Sequence, residues 1–134
     1  MTIDAVAGYR ILVVEDEALI AIDIEETLQA LGCQIAGPTG KLETALQLAS
    51  DERLDAAILD VTIRGGNSYP VAEQLLARDI PFVLASGYGD WTLPASLRDQ
   101  PRLTKPFTPT QLEEKVRFLC DEAAKRKRAA RPRA

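Results

Sequence analysis

Four short apolar runs each lead into residues able to do chemistry. Residues 11–14 lead into Glu15-Asp16-Glu17, residues 56–59 into Asp60, residues 81–85 into Ser86-Gly87, and the brief run 102–104 into Lys105. If these runs lie side by side, three or four carboxylates, one hydroxyl and one ammonium meet at a single edge. Two carboxylates about 5 Å apart repel by roughly 3 kcal/mol at an effective dielectric of 20, so such a group calls for a cation. Oxygen ligands in this number suit Mg²⁺, which keeps several waters and takes one or two carboxylates plus phosphate oxygens. The sequence has no histidine, which excludes a histidine base, a Ser-His-Asp or Cys-His nucleophile and a histidine metal ligand. A carboxylate is then the obvious nucleophile. Asp60 closes an apolar strand that would hold it rigidly, and an aspartate can carry a phosphoryl group as an acyl phosphate. Mg²⁺, Lys105 and the Ser86 hydroxyl would supply the positioning and charge neutralisation that phosphoryl transfer needs.

The elements that must position these groups alternate. A helical stripe of Ile20, Ile24, Leu28 and Leu31 follows the first run and stops at Gly32. A second apolar run, residues 33–36, precedes the turn Gly37-Pro38-Thr39-Gly40 and a helix with Leu42, Ala45, Leu46 and Ala49 on one face. After Asp60 the loop Arg64-Gly65-Gly66-Asn67-Ser68 leads to a helix through Val71, Ala72, Leu75 and Leu76. Residues 91–100 contain Pro94 and give only a short periodic stretch, a turn or two of helix. Thr108-Pro109-Thr110-Gln111 has the signature of a capping box with proline at the first helical position. The helix it opens turns Leu112, Val116, Leu119, Cys120 and Ala123 inward. Strands alternating with helices imply a mostly parallel sheet covered on both faces, a three-layer α/β sandwich. Ligands of such sheets bind beyond the carboxyl ends of the strands, where these residues fall.

A length of 134 residues fits one domain. All 20 acids but only ten of the 16 bases lie in residues 1–124. That part therefore carries −10, and six bases from Lys125 onward bring the net charge to −4. We expect an extension over residues 1–8, the domain over 9–123 and a basic tail over 124–134. Having no aromatic residue, the tail reads as a solvated, frayed end with no nucleic acid expected on it. Cys33 and Cys120 are too few for a disulfide scaffold and read as small core residues. With no signal-peptide pattern and no apolar stretch of membrane-spanning length, the expectation is a cytoplasmic chain that makes no membrane contact.

In order and spacing, Ile-Leu-Val-Val-Glu15-Asp16-Glu17, Ala-Ala-Ile-Leu-Asp60-Val, Ser86-Gly87 and Lys105-Pro106-Phe107 resemble the response-regulator receiver domains of bacterial two-component signalling, over residues 9 to about 123. The resemblance implies a flavodoxin-like fold with its five parallel strands in the order 2-1-3-4-5. It implies that Asp60 accepts the phosphoryl group and that Glu15 and Asp16 hold Mg²⁺ with it, one of them through water. The Thr62 carbonyl would add a third protein contact to the metal. Ser86 and Lys105 would bind phosphoryl oxygens, Gly87 would leave them room, and Lys105-Pro106 is often cis in this family. The segment Pro81-Phe82-Val83-Leu84-Ala85-Ser86-Gly87-Tyr88 resembles the Pro-Phe-x-Phe-Ala-Thr-Gly-Gly/Tyr pattern of an alphaproteobacterial subgroup, with Leu84 and Ser86 as substitutions. Arg102 stands where most receivers carry a switch aromatic, and Arg64 where a proline is common. The switch is therefore assigned to Tyr88 or the loop from Gly87 to Pro94, although Tyr88 and Trp91 would also serve simply to cover apolar surface.

The implied activity is a stand-alone response regulator, monomeric or weakly dimeric. It would be phosphorylated by a histidine kinase or phosphotransfer protein and would signal to a downstream protein or act as a phosphate shuttle or sink. Its output face would be built from the fourth helix, fifth strand and fifth helix. One alternative is an Mg²⁺-dependent phosphohydrolase with an aspartyl nucleophile, but such enzymes carry a second Asp where this sequence has Thr62. The other is an interaction module that is never phosphorylated. Glu17 is read as a residue that starts a helix.

Overall fold

The first strand, β1 (Arg10–Val14), is apolar after its first residue and is flanked on both sides by parallel partners. A computed structural model describes residues 5–51, 53–87 and 93–130. After β1 come α1 (Ala18–Ala30), β2 (Gln34–Thr39), α2 (Leu42–Asp51), β3 (Ala56–Asp60), β4 (Thr62–Ile63), β5 (Gly66–Asn67), α3 (Tyr69–Ala77), β6 (Phe82–Ser86), a 3₁₀ turn (Ala95–Leu97), β7 (Arg102–Thr104) and α4 (Pro109–Ala130). The main sheet runs β2-β1-β3-β6-β7, all parallel. With its five strands counted along the chain, that is the 2-1-3-4-5 order of the flavodoxin-like fold.

Successive strand residues face opposite sides of the sheet, and two cores result. Leu12, Val14, Ala57, Leu59 and Leu84 pack with α2 and α3 through Ala45, Ala49, Val71 and Leu75. Ile11, Val13, Ile58, Val83 and Ala85 pack with α1 and α4 through Ile24, Leu28, Val116 and Leu119. All five residues of β3 and of β6 are buried, which explains why those strands read as continuous apolar runs. Each fully buried Leu or Ile stabilises the fold by about 1.5–3 kcal/mol. Gly32, at φ 81, ends α1 as expected. The capping box is formed: Thr108 N–H donates to Gln111 Oε1 at 2.9 Å, and Gln111 N–H to Thr108 Oγ1 at 3.1 Å.

Several expectations are corrected. The Gly37-Pro38 pair expected in a turn lies inside β2, with a break in register between Leu12 and Val14 of β1. As an edge strand β2 tolerates the missing proline N–H. Cys33 immediately precedes β2; its thiol donates to the Val6 carbonyl at 3.4 Å, so the N-terminal segment is held against the body. Both cysteines are buried. A hydrogen bond with Cys33, then burial, raises the Cys120 thiol pKa, which suits an unreactive core position. The loop after Asp60 contains a small antiparallel hairpin, β4 with β5. Between Pro94 and Gln100 there is a single 3₁₀ turn, anchored by Leu97. The basic segment expected to fray from residue 124 continues α4 to Ala130, with Lys127 paired to Asp55 and Arg126 to Asp79. Among the described residues no helix is long and apolar enough to cross a membrane.

Candidate functional site

In this order β1, β3, β6 and β7 are consecutive and parallel, so their carboxyl ends are neighbours. Register aligns them closely: Val14 pairs with Leu59, Asp60 with Ala85, and Ser86 with Thr104. Backbone bonds just past the strands hold the ends together. Glu15 N–H donates to the Thr39 carbonyl at 2.9 Å, Val61 N–H to the Ala85 carbonyl at 2.9 Å, and Lys105 N–H to the Ser86 carbonyl at 2.8 Å. A cleft of about 500 Å³ opens over this edge, lined by residues that include Asp16, Glu17, Asp60, Thr62, Ser86 and Lys105.

Glu15, Asp16 and Asp60 each bring one carboxylate oxygen within 4.8 Å of the other two. Glu15 and Asp60 are almost fully buried, at 4% and 5% exposure, so their charges are little relieved by solvent. Lys105 answers them: Nζ lies 2.7 Å from Glu15 Oε1, 3.2 Å from Asp60 Oδ2 and 3.7 Å from Glu17 Oε1. One ammonium does not balance the group. Burial and the adjacent Glu15 push the Asp60 acid up to about 8, although Lys105 pulls it down. Burial works against the Lys105 ammonium, but Glu15 and Asp60 outweigh it and hold that group above the ordinary lysine value.

The donor set fits a small hard cation. Three carboxylate oxygens within 4.8 Å are compatible with neighbouring and opposite positions of a Mg²⁺ octahedron, about 3 and 4 Å apart for bonds of roughly 2.1 Å. Soft sulfur and imidazole ligands, which favour other metals, do not line the cleft.

Ser86 is buried at the end of β6 and Gly87 follows it on the cleft wall. Thr62 N–H donates to Asp60 Oδ1 at 3.4 Å, which places Thr62 beside the acid. Lys105-Pro106 is cis. Arg102 is exposed on β7 and donates to the Arg98 carbonyl at 3.3 Å. Tyr88 and Trp91, to which a switch or a covering role was assigned, lie outside the described residues.

Two residues take part beyond the roles expected of them. Glu17 occupies the N-cap of α1 but makes no side-chain cap bond there; its carboxylate approaches Lys105 instead. Its place in an unbroken acidic triplet was the available signal. Gly40 packs directly on Asp16: a Cβ at Gly40 would lie 2.5 Å from both Cα and Cβ of Asp16. The hairpin meets the same glycine, because Arg64 N–H donates to the Gly40 carbonyl at 3.1 Å and Leu42 N–H to the Arg64 carbonyl at 3.3 Å. The loop after Asp60 is thereby tied to the residue that supports Asp16.

A family model described as the response regulator receiver domain matches residues 11–117. Among solved structures, SdrG from Sphingomonas melonis Fr1 is 45% identical with a TM-score of 0.74, covering 84% of this chain and 96% of SdrG. The BeF3-activated conformation of SdrG, from Pseudomonas melonis Fr1, is 44% identical with a TM-score of 0.70, covering 85% of this chain and 98% of the other. The transcriptional regulatory protein PdtaR of Mycobacterium tuberculosis is 32% identical over 113 residues, 81% of this chain and 55% of PdtaR. The chain thus spans about half the length of the curated relatives it matches.

Proposed function

The chain belongs to the response regulator receiver domain family, and from that premise we propose that Asp60 accepts a phosphoryl group from a phosphohistidine on a kinase or phosphotransfer protein. The observation that carries this reading is the convergence of Glu15, Asp16, Asp60 and Lys105 at adjoining strand ends. An Asp60 carboxylate oxygen attacks phosphorus, the bond from phosphorus to the imidazole nitrogen breaks, and the imidazole leaves with its electron pair. Glu15, Asp16 and Asp60, with the Thr62 carbonyl, would hold Mg²⁺. When bound, the ion offsets the crowded carboxylates, so that Asp60 is an anion near neutral pH, and neutralises charge on the transferring group. The Lys105 ammonium and Ser86 hydroxyl bind phosphoryl oxygens, and Gly87 leaves them space. The BeF3-activated form of the 44% identical SdrG supports this reading. The phosphorylated chain then alters its contacts with a downstream protein, through the face of the 3₁₀ turn, β7 and α4, or passes the phosphoryl group on.

Incubation with Mg²⁺ and acetyl phosphate should add a single hydroxylamine-labile phosphoryl group, and Asp60→Asn should abolish it. Steady hydrolysis of unrelated phosphate esters would establish a phosphohydrolase instead. Absence of modification by either acetyl phosphate or a kinase would establish an inert interaction module. The switch is assigned to Tyr88 or the loop from Gly87 to Pro94; amide shifts on BeF3 addition should include residues 84–106, and shifts confined elsewhere would sink that assignment.

A further inference from the structure

At the opposite edge of the sheet, about 17 Å away along five-residue strands, the described residues that line the surface are mostly basic where they are charged. Two clefts, of about 480 and 250 Å³, open at the amino ends of β1, β3 and β6 and share Asp55 and Lys127 as a common wall. Among the described residues, Arg10, Arg53, Arg78, Arg126 and Lys127 line this pair of clefts, a trough with five cations against the two carboxylates Asp55 and Asp79. Basic residues in the last turn of α4 would by themselves be explained by the helix dipole. That explanation does not reach Arg10 on β1, Arg53 before β3 or Arg78 after α3, which come from separate elements and meet in one place.

Lys127, Arg126 and Arg78 are held in position by partners. Lys127 pairs with Asp55 and lies over the Tyr9 ring at 5.7 Å, while its side chain stays 59% exposed. Asp55 in turn accepts from Arg10 N–H at 2.8 Å. Arg126 Nη1 is 3.2 Å from Asp79, and Arg78 donates to the Ala49 carbonyl. Side chains already ordered yet still reachable lose little freedom when an anion arrives.

We propose that this trough binds the phosphodiester backbone of a nucleic acid. Four of its five cations are arginines, whose guanidinium is weakly hydrated and forks onto paired phosphate oxygens. Cations drawn from separate segments of the chain suit a ligand that carries an anion at every repeat. A phosphodiester chain meets that condition in any sequence, whereas an acidic peptide does so only where carboxylates recur. The site is remote from Asp60, so binding there is measured without phosphorylating the chain.

The test is anisotropy of a fluorescein-labelled 20-nucleotide single strand titrated with the full chain at 50 and 200 mM KCl. About three phosphate contacts give a salt slope near −2, hence about a twentyfold loss of affinity between the two salts. Arg53→Glu and Lys127→Glu should each weaken binding about tenfold or more, whereas Arg64→Glu, an equal charge change at the other edge of the sheet, should leave it unchanged. No binding at 50 mM KCl would overturn the proposal, as would an equal loss with Arg64→Glu. Labelled polyglutamate of the same length binding as tightly as the oligonucleotide would assign the trough to an acidic protein instead.

Discussion

Replacing the proposed phosphoryl acceptor should make the metal-free protein more stable, not less. Asp60 has its acid raised to about 8 from an ordinary 3.8. The folded chain therefore keeps a proton that the unfolded chain has released, and folding is penalised as pH rises from about 4, with the penalty levelling off above about 8. At pH 7 some three units of the difference have been traversed. At about 1.4 kcal/mol per unit this is a ceiling near 4 kcal/mol. Asparagine is neutral throughout and removes the penalty, but it alters the contact with Lys105 at 3.2 Å; Lys105 keeps Glu15 at 2.7 Å. The site also opens to solvent through its cleft, so we expect Asp60→Asn to add about 2–3 kcal/mol at pH 7 and well under 1 kcal/mol at pH 4. At roughly 4 °C per kcal/mol for a domain of this size, the melting midpoint at pH 7 should rise by about 10 °C. Urea unfolding in EDTA at pH 4, 5.5, 7 and 8.5, followed by circular dichroism, measures this directly. Adding Mg²⁺ should narrow the gap, because the ion stabilises the natural chain by mass action and the variant has lost a ligand. A stabilisation that is the same at pH 4 and pH 7, or a variant less stable at pH 7, would refute the electrostatic account of the site.

Three further outcomes are expected from the geometry. Gly40→Ala places a methyl 2.5 Å from Asp16 and should weaken Mg²⁺ binding about tenfold, read by calorimetric titration; an unchanged affinity would show that Asp16 moves freely. Thr108→Ala removes the side-chain half of the capping box and should lower unfolding free energy by about 1 kcal/mol in urea. Lys105→Ala should slow phosphorylation by acetyl phosphate about 100-fold or more while Mg²⁺ still binds, and an undiminished rate would remove Lys105 from the reaction.

What the sequence discloses and what it hides divide along physical lines. The strand ends were legible because strands buried on both faces are unbroken apolar runs, so the first charge after each run marks the edge; Asp60 and the Glu15-Asp16 pair stand out for that reason. The cap at Thr108 was legible because its two bonds span only three residues. The β4–β5 hairpin was hidden because two-residue strands show no period. Gly37-Pro38 reads as a turn in isolation, and only the edge position of β2 makes a proline harmless there. Residues 124–130 lack an apolar stripe and so read as tail. Yet Ala, Lys and Arg are strong helix formers, the bases suit a helix end, and Asp55 and Asp79 lie within reach of Lys127 and Arg126. The contact of Gly40 with Asp16 joins residues 24 positions apart, which no local pattern records.

The averaged charge of −4 conceals a molecule with two poles, and parallel topology accounts for the separation. Because every main strand points the same way, whatever ends a strand gathers at one edge and whatever begins one gathers at the other. Acids that follow β1 and close β3 converge on Lys105, while Arg10 at the start of β1 and Arg53 ahead of β3 meet the last turns of α4. Across about 17 Å and roughly two Debye lengths at physiological salt, direct Coulomb coupling between the poles is largely screened. Any influence of phosphorylation on the basic trough must therefore pass through movement of packed elements, with α4, which packs on β3, β6 and β7, the element that reaches it. Oligonucleotide affinity that shifted on BeF3 addition while circular dichroism and the amide spectrum of α4 stayed fixed would contradict that route.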